Sequence, residues 1–256
     1  MSDNFVFDES FSVKGKNVIV TGSSSGIGLE IVRMLARKGA NILAFDRNEN
    51  RELESYVKEL GTDYVGFTGD ITDSRSIRGA VDAALERFGK IDALVNCAGI
   101  AVNESLDRLT EEGWDKTLAV NLTGPVRLAL AAGAAMIAAG GGSIVNIASQ
   151  AGLVALDKHL SYGTSKAGLI QATKQMALEW GKYNIRVNAI SPTVILTPMG
   201  RTNWDNPEGD ALKQIIPSRR FGYPEEVAAC VVYLISDASV LFNGANLIID
   251  GGYTIQ

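Results

Sequence analysis

The sequence predicts an α/β fold: a doubly wound, mostly parallel sheet of seven strands with helices on both faces. Three observations carry that expectation. Short apolar runs alternate with longer helical patterns from one end of the chain to the other, the signature of repeated βαβ units. A glycine-rich turn, T-G-S-S-S-G-I-G at 21–28, stands between the first apolar run and the first helical pattern. The 256 residues can bury a sizeable core as one domain, 1–256.

Taken in order, the first strand is N-V-I-V-T at 17–21, rich in β-branched residues. A helix at 26–38 follows the glycines, with apolar residues at helical spacing in L-E-I-V-R-M-L-A-R-K. The strand N-I-L-A-F at 41–45 leads to a helix at 49–60, and Y-V-G-F-T at 64–68 leads to one at 74–88. After A-L-V-N at 93–96 comes a long helical stretch, 110–139. The strand G-S-I-V-N-I at 142–147 then precedes a helix at 161–182, and R-V-N-A-I at 186–190 is the sixth strand. A helix at 224–236 and the strand N-L-I-I at 246–249 complete the pattern. The least regular segment, 193–218, carries Pro198, Pro207 and Pro217 with Gly200 and Gly209, and is expected to serve as a lid or binding loop.

A net charge of -5 leaves no basic face for nucleic acid or anionic membranes, so a small molecule is the expected partner. Cys97 and Cys230, with His159 the single histidine, cannot build a familiar zinc site or a disulfide framework; no metal is expected, and a reducing cytoplasm fits. The N-terminus is acidic and lacks an apolar signal core. The longest apolar-looking run, 126–139, contains Arg127 and is read as too short to span a bilayer, so a soluble protein is expected.

The glycine turn points to a dinucleotide. Gly22 permits a tight turn, Gly26 and Gly28 allow close backbone approach, and the helix start offers free N–H groups to a pyrophosphate; a purely structural turn is the alternative. Asp46, about twenty residues on, can accept hydrogen bonds from an adenosine ribose and repel a 2′-phosphate, which favours NAD, although Arg47 beside it can accommodate that phosphate. Asp70 in T-G-D-I-T-D follows the third strand where an adenine would lie, and N-C-A-G at 96–99 follows the fourth. Either could be an ordinary strand-ending turn.

The chemistry is expected at H-L-S-Y-G-T-S-K-A-G, 159–168. Residues four apart on a helix share a face, so Tyr162 and Lys166 project into one space, where a cation favours phenolate. Ser149 closes the fifth strand and can return to the same edge, while Asn121 lies inside the long helical stretch, binding a local carbonyl or a water.

From about Lys14 to Tyr253 the chain resembles the short-chain dehydrogenase/reductase family, on the ordered set T21-G-x-x-x-G-I-G, N96-x-A-G, N121, S149, Y162-x-x-x-K166 and D250-G-G. That resemblance implies a Rossmann-type fold and hydride transfer to or from a nicotinamide cofactor. Tyr162 would be the general acid/base, Ser149 would hold the substrate oxygen, Lys166 would lower the tyrosine pKa and bind the nicotinamide ribose, and Asn121 would support a proton-relay water. The implied cofactor residues are Gly22, Ser25, Gly26, Ile27, Gly28, Asp46, Asp70, Ile71, Asn96, Ala98 and Gly99, with Tyr162, Lys166, Pro192, Ile195, Thr197 and Met199. Cys97 stands where the family often has asparagine, and Thr193 where a glycine often follows the proline.

The form P-T-V-x-x-T-x-M-G-x-x-x-W at 192–204 is similar to the branch of L-xylulose reductase and bacterial polyol dehydrogenases. By that resemblance His159 and Trp204, with Ser149 and Tyr162, border the substrate; a solvated helix-start histidine and a buried loop anchor are the alternatives. NAD and this branch together point to oxidation of a small polyol to its ketose. Reduction of a ketoacyl thioester or diketone, or NAD sensing without turnover, are the other readings. Small and apolar residues on several faces of 126–139 and 161–180 suggest a further covering surface, with burial against the sheet alone as the alternative, and the resemblance implies a homotetramer.

Overall fold

The structure, a computed structural model, describes residues 7–256, the side chains of residues 7, 8, 199, 202 and 203 excepted. After a short helix, α1 (Phe7–Ser10), the chain alternates strands and helices: β1 (Asn17–Thr21), α2 (Gly26–Arg37), β2 (Asn41–Asp46), α3 (Arg51–Glu59), β3 (Tyr64–Thr68), α4 (Ser74–Phe88) and β4 (Ala93–Asn96). The second half runs α5 (Glu111–Leu118), a π-helical turn (Ala119–Thr123), α6 (Gly124–Ala139), β5 (Gly142–Ile147), α7 (Leu160–Trp180) and β6 (Ile185–Pro192). It closes with α8 (Pro198–Trp204), α9 (Pro207–Ile215), α10 (Pro224–Ile235) and β7 (Asn246–Ile249).

All seven strands are parallel, in the order β3-β2-β1-β4-β5-β6-β7. The chain moves outward from β1 to β3, then returns to place β4 on the other side of β1. Such a reversal opens a crevice at the carboxyl ends of β1 and β4. Side chains alternate across the sheet, so Val18 and Val20 pack under α2, α3 and α10, while Ile19 and Leu94 pack under α4, α6 and α7.

Two expectations are corrected. The stretch 110–139 is not one regular helix, because a π turn at Ala119–Thr123 divides it. The segment 193–218 is not irregular throughout: Pro198 and Pro207 each open a short helix behind a side-chain cap, Thr197 to Gly200 N–H and Asn206 to Gly209 N–H. A proline at the first helical position loses no intrahelical hydrogen bond.

A third concerns the membrane test. By length and composition the 29-residue run Glu111–Ala139 is apolar enough to cross a bilayer, the one such helix among the described residues. Its inner face nevertheless belongs to the core, where Leu128, Ala129, Ala132 and Met136 pack beneath the sheet.

Candidate active site

At the crevice, Gly22 leaves β1 with φ 68° and Gly26 opens α2 with φ 56°, conformations that L side chains seldom adopt. A Cβ on Gly22 would lie 2.8 Å from Ala98 Cα, and one on Gly28 only 2.0 Å from the Gly22 carbonyl oxygen. Backbone therefore packs on backbone, and no side chain fits at either position. Ser25 precedes α2 without a side-chain cap, and Leu29 N–H is the first to donate within the helix, to Ser25 O at 3.1 Å. The amides of Gly26, Ile27 and Gly28 have no intrahelical acceptor, which suits a pyrophosphate.

Neighbouring strand ends brace this turn. Thr21 Oγ1 accepts from the amides of both Cys97 and Ala98 at 3.0 Å, joining the ends of β1 and β4. Asp46 accepts from Ser24 N–H and Asn48 N–H, each at 3.0 Å, and Asn50 donates to Ser24 O at 3.2 Å. A carboxylate oxygen can take a second donor, so this bracing leaves Asp46 able to accept from a ribose. Asp70 Oδ1 takes the amide and hydroxyl of Thr72, both at 2.8 Å, and the Thr72 amide above all holds its carboxyl below the usual range. Ile71 is buried, its carbonyl set against the start of α6 at Gly124. Asn96, buried at the end of β4, donates to Asn146 Oδ1 at 2.9 Å and to Pro125 O at 3.2 Å.

The α7 helix brings Tyr162 and Lys166 together. Lys166 is 4% exposed, donates from Nζ to Ile147 O at 2.8 Å, and lies 5.7 Å from the Tyr162 ring centroid. Its partners are a carbonyl and a ring rather than a carboxylate, and burial pushes its pKa down to about 8. Ser149 accepts from Ala151 N–H at 3.1 Å and hydrogen-bonds the Tyr162 phenol. Burial pushes that phenol up while the Ser149 bond pulls it back, and the net direction is up. Desolvation of the phenolate is the largest contribution and sets that direction in the protein alone. Cys97 beside them is pushed to about 12 by burial and is a neutral neighbour.

Asn121 sits fully buried in the π turn. Its Nδ2 donates to Ile100 O at 2.8 Å and Ser165 Oγ at 3.1 Å, and its Oδ1 accepts from Ile100 N–H at 2.9 Å. The expected local carbonyl is replaced by partners on the loop after β4 and on α7. An inserted residue in a helical turn rotates the side chains around it, here carrying Asn121 inward. A Cβ on Gly99 would stand 3.3 Å from Asn121 Oδ1 and 3.5 Å from Lys166 Nζ, so this glycine lets the loop close on both.

The His159 ring lies 6.0 Å from that of Tyr162, edge to face, and its Nδ1 contacts Asp157 O. Thr197 reaches the glycine turn, its Cγ2 3.3 Å from where a Cβ on Gly26 would be. Pro192 ends β6 beside Ile249, and Ile195 forms a bridge to Gly222. The Met199 side chain lies outside the described residues. The Trp204 ring packs on Phe221 at 6.3 Å and lines a cavity of about 280 Å³ with Leu196, Arg201 and Tyr223.

Four residues escaped the sequence reasoning as site residues: Thr21, Ser165, Gln150 and Thr193. Gln150 and Thr193, 4% and 9% exposed, each bury a side-chain oxygen without a hydrogen-bond partner. They come directly after Ser149 and Pro192 at the ends of adjacent strands, where Ile147 pairs with Ile190. Unsatisfied buried oxygens at the sheet edge, together with a glycine cradle and free helix amides, fit a polar dinucleotide and a hydroxylated substrate. Adjacency to Gly22 was the one available signal for Thr21; Ser165 offered none beyond its place between Tyr162 and Lys166.

The chain is similar to known proteins along most of its length. The family described as enoyl-(acyl carrier protein) reductase matches residues 22–254. The chain is 49% identical over 252 residues to a D-threitol dehydrogenase of Mycolicibacterium smegmatis, covering 97% of this chain and 96% of that protein. It is 46% identical to an NAD-dependent glycerol dehydrogenase of Listeria innocua, covering 98% of each. The crystal structure of NAD+-bound xylitol dehydrogenase superposes with a TM-score of 0.90 at 32% identity, covering 93% of this chain and 99% of that one.

Gly28→Ala tests the cradle. Its methyl group must displace the Gly22 carbonyl, so NADH affinity by fluorescence titration should fall by at least about tenfold, the scale of 1.4 kcal/mol. Unchanged affinity would remove the glycine turn from the binding site.

Proposed function

This chain belongs to the short-chain dehydrogenase/reductase family, and on that premise we propose that it oxidises a small sugar alcohol to the corresponding ketose with NAD, Tyr162 acting as general acid/base. The observation that carries this reading is the grouping of Ser149, Tyr162, Lys166 and His159 at the edge that holds the glycine turn.

When bound, NAD supplies the acceptor for a hydride leaving the carbinol carbon. Gly22, Gly26 and Gly28 would make room for its pyrophosphate, with Ser25 and Ile27 contributing the turn and helix amides. Asp46 would accept from the adenosine ribose, and Asp70 and Ile71 would stand at the adenine end. Asn96, Ala98 and Gly99 would lie beneath the cofactor, and Pro192, Ile195 and Thr197 would hold its nicotinamide end. Asp46 supports NAD over NADP, in keeping with the cofactor in the name of the Listeria relative.

Tyr162 takes the hydroxyl proton of the substrate, and Ser149 donates to the oxygen as it becomes a carbonyl. Lys166 remains protonated below about 8 and supplies positive charge beside the phenol. Asn121 holds the loop at Ile100 and supports the route by which the proton leaves. His159 can give or take a hydrogen bond with a second substrate hydroxyl. Trp204, its ring against Phe221, would present an apolar wall to the substrate from α8.

The protein is read as a soluble cytoplasmic homotetramer. Leu130 and Ile137 on α6 and Leu178 on α7 are exposed apolar side chains on neighbouring helices, which supports association through that face. Sedimentation should give a mass near four chains; a single monomer peak would reject the assembly.

A panel of three- to six-carbon polyols, diketones and ketoacyl thioesters, each with NAD and NADP, tests the reading. Polyol oxidation with NAD should dominate. Because Tyr162 must lose its proton to act as base and burial holds that proton on, oxidation should rise with pH and the reverse reduction should fall. Tyr162→Phe should cut kcat by roughly 10²–10⁴-fold with NADH affinity retained. Near-normal turnover in that variant, or activity confined to thioesters, would refute the assignment.

A further inference from the structure

Ser165 lies between Tyr162 and Lys166 on α7, fully buried, and takes no direct part in the hydride or proton transfer. Its hydroxyl donates to the Tyr162 backbone carbonyl at 2.7 Å and accepts from Asn121 Nδ2 at 3.1 Å. A serine hydroxyl has one proton. With that proton on the Tyr162 carbonyl, a lone pair must face Asn121, so the direction of both bonds is fixed.

Asn121 has no slack either. Its other amide proton is on Ile100 O and its oxygen accepts from Ile100 N–H. Among the described residues, the Asn121–Ser165 bond is the one side-chain hydrogen bond joining the π turn to α7. Two helical turns on, Thr173 makes a tether of the same kind, accepting from Asn146 Nδ2 and donating to Leu169 O, both at 2.8 Å. That second tether holds α7 to β5, away from the phenol.

We infer that Ser165 is a positioning residue for proton transfer: its hydroxyl locks the Asn121 turn and the Gly99–Ile100 loop against the segment of α7 that carries Tyr162 and Lys166. The inference rests on Tyr162 being the acid/base. Without the Ser165 oxygen, a buried Asn121 N–H loses its acceptor, a loss that a buried group does not tolerate without movement. Rotation of Asn121 would release Ile100 and with it Gly99, where an added Cβ would stand 3.3 Å from Asn121 Oδ1 and 3.5 Å from Lys166 Nζ. The ammonium would then be free to move relative to the phenol, and the phenol pKa would rise further.

The experiment compares the wild type with Ser165→Ala, Ser165→Cys, Ser165→Thr and Thr173→Val. It records the pH profile of kcat for threitol oxidation with NAD, the threitol KM, thermal unfolding, and an ultraviolet difference titration of tyrosinate with Tyr162→Phe as blank. Ser165→Ala should lower kcat about tenfold, less than the roughly 10²–10⁴-fold that loss of the acid/base itself commands. Its rising limb should move up by roughly half to one pH unit, the threitol KM staying within about twofold. Ser165→Thr, which keeps the hydroxyl, should restore the limb. Thr173→Val should lower the melting temperature and leave the limb in place. Should Ser165→Ala fail to fold, Ser165→Cys carries the comparison with a weaker acceptor of similar size. A limb unmoved by loss of the hydroxyl, or moved equally by Thr173→Val, would overturn the inference. A tyrosinate titration that depends on Ser165 in an enzyme that oxidises no polyol would sustain it while rejecting the substrate reading.

Discussion

Lys166 carries an ammonium into the interior with a backbone carbonyl and an aromatic ring for company, at 2.8 Å from Ile147 O and 5.7 Å from the Tyr162 centroid. Such a charge is costly to bury, and its depressed pKa records that cost. A carboxylate partner would relieve the cost but neutralise the field at the phenol. The carbonyl satisfies one proton and leaves the charge intact. The rest of the site keeps that arrangement rigid: Ser149 fixes the phenol from one side, and Gly99 is small enough to bring the loop after β4 against Lys166 and Asn121 from the other.

The fold supplies the rigidity by ending its strands together. Thr21 ties β1 to the turn after β4, and Asp46 ties β2 to the glycine turn. The register Ile147 to Ile190 brings the residues after β5 and β6 abreast. Each of these bonds caps a strand end that would otherwise leave polar backbone unsatisfied, so the same groups that finish the sheet also shape the crevice. Stability and function are therefore written in the same hydrogen bonds at this edge.

Much of this architecture was legible in the sequence, for physical reasons. Buried parallel strands must be apolar on both faces, so N-V-I-V-T and G-S-I-V-N-I announce themselves. The glycine turn was readable because only glycine fits where an added Cβ would fall 2.0–2.8 Å from neighbouring backbone atoms. The π turn at Ala119–Thr123 was not, since one inserted residue leaves no pattern distinct from helix. Pro198 and Pro207 read as breakers because a proline that opens a helix and one that ends it look alike without the cap before it. Ser165 and Thr173 were invisible for a similar reason: a buried hydroxyl in a helix matters through its partner, and Asn121 and Asn146 come from distant parts of the chain.

The central claim is electrostatic, and it can be measured on the protein alone. In enzyme labelled with carbon-13 at the lysine ε-carbon, with Lys166→Met to assign the resonance, NMR titration should show Lys166 losing its proton near pH 8. A titration near the ordinary lysine value of 10.5 would mean that the ammonium is solvated, and would contradict the account of a buried charge held beside Tyr162.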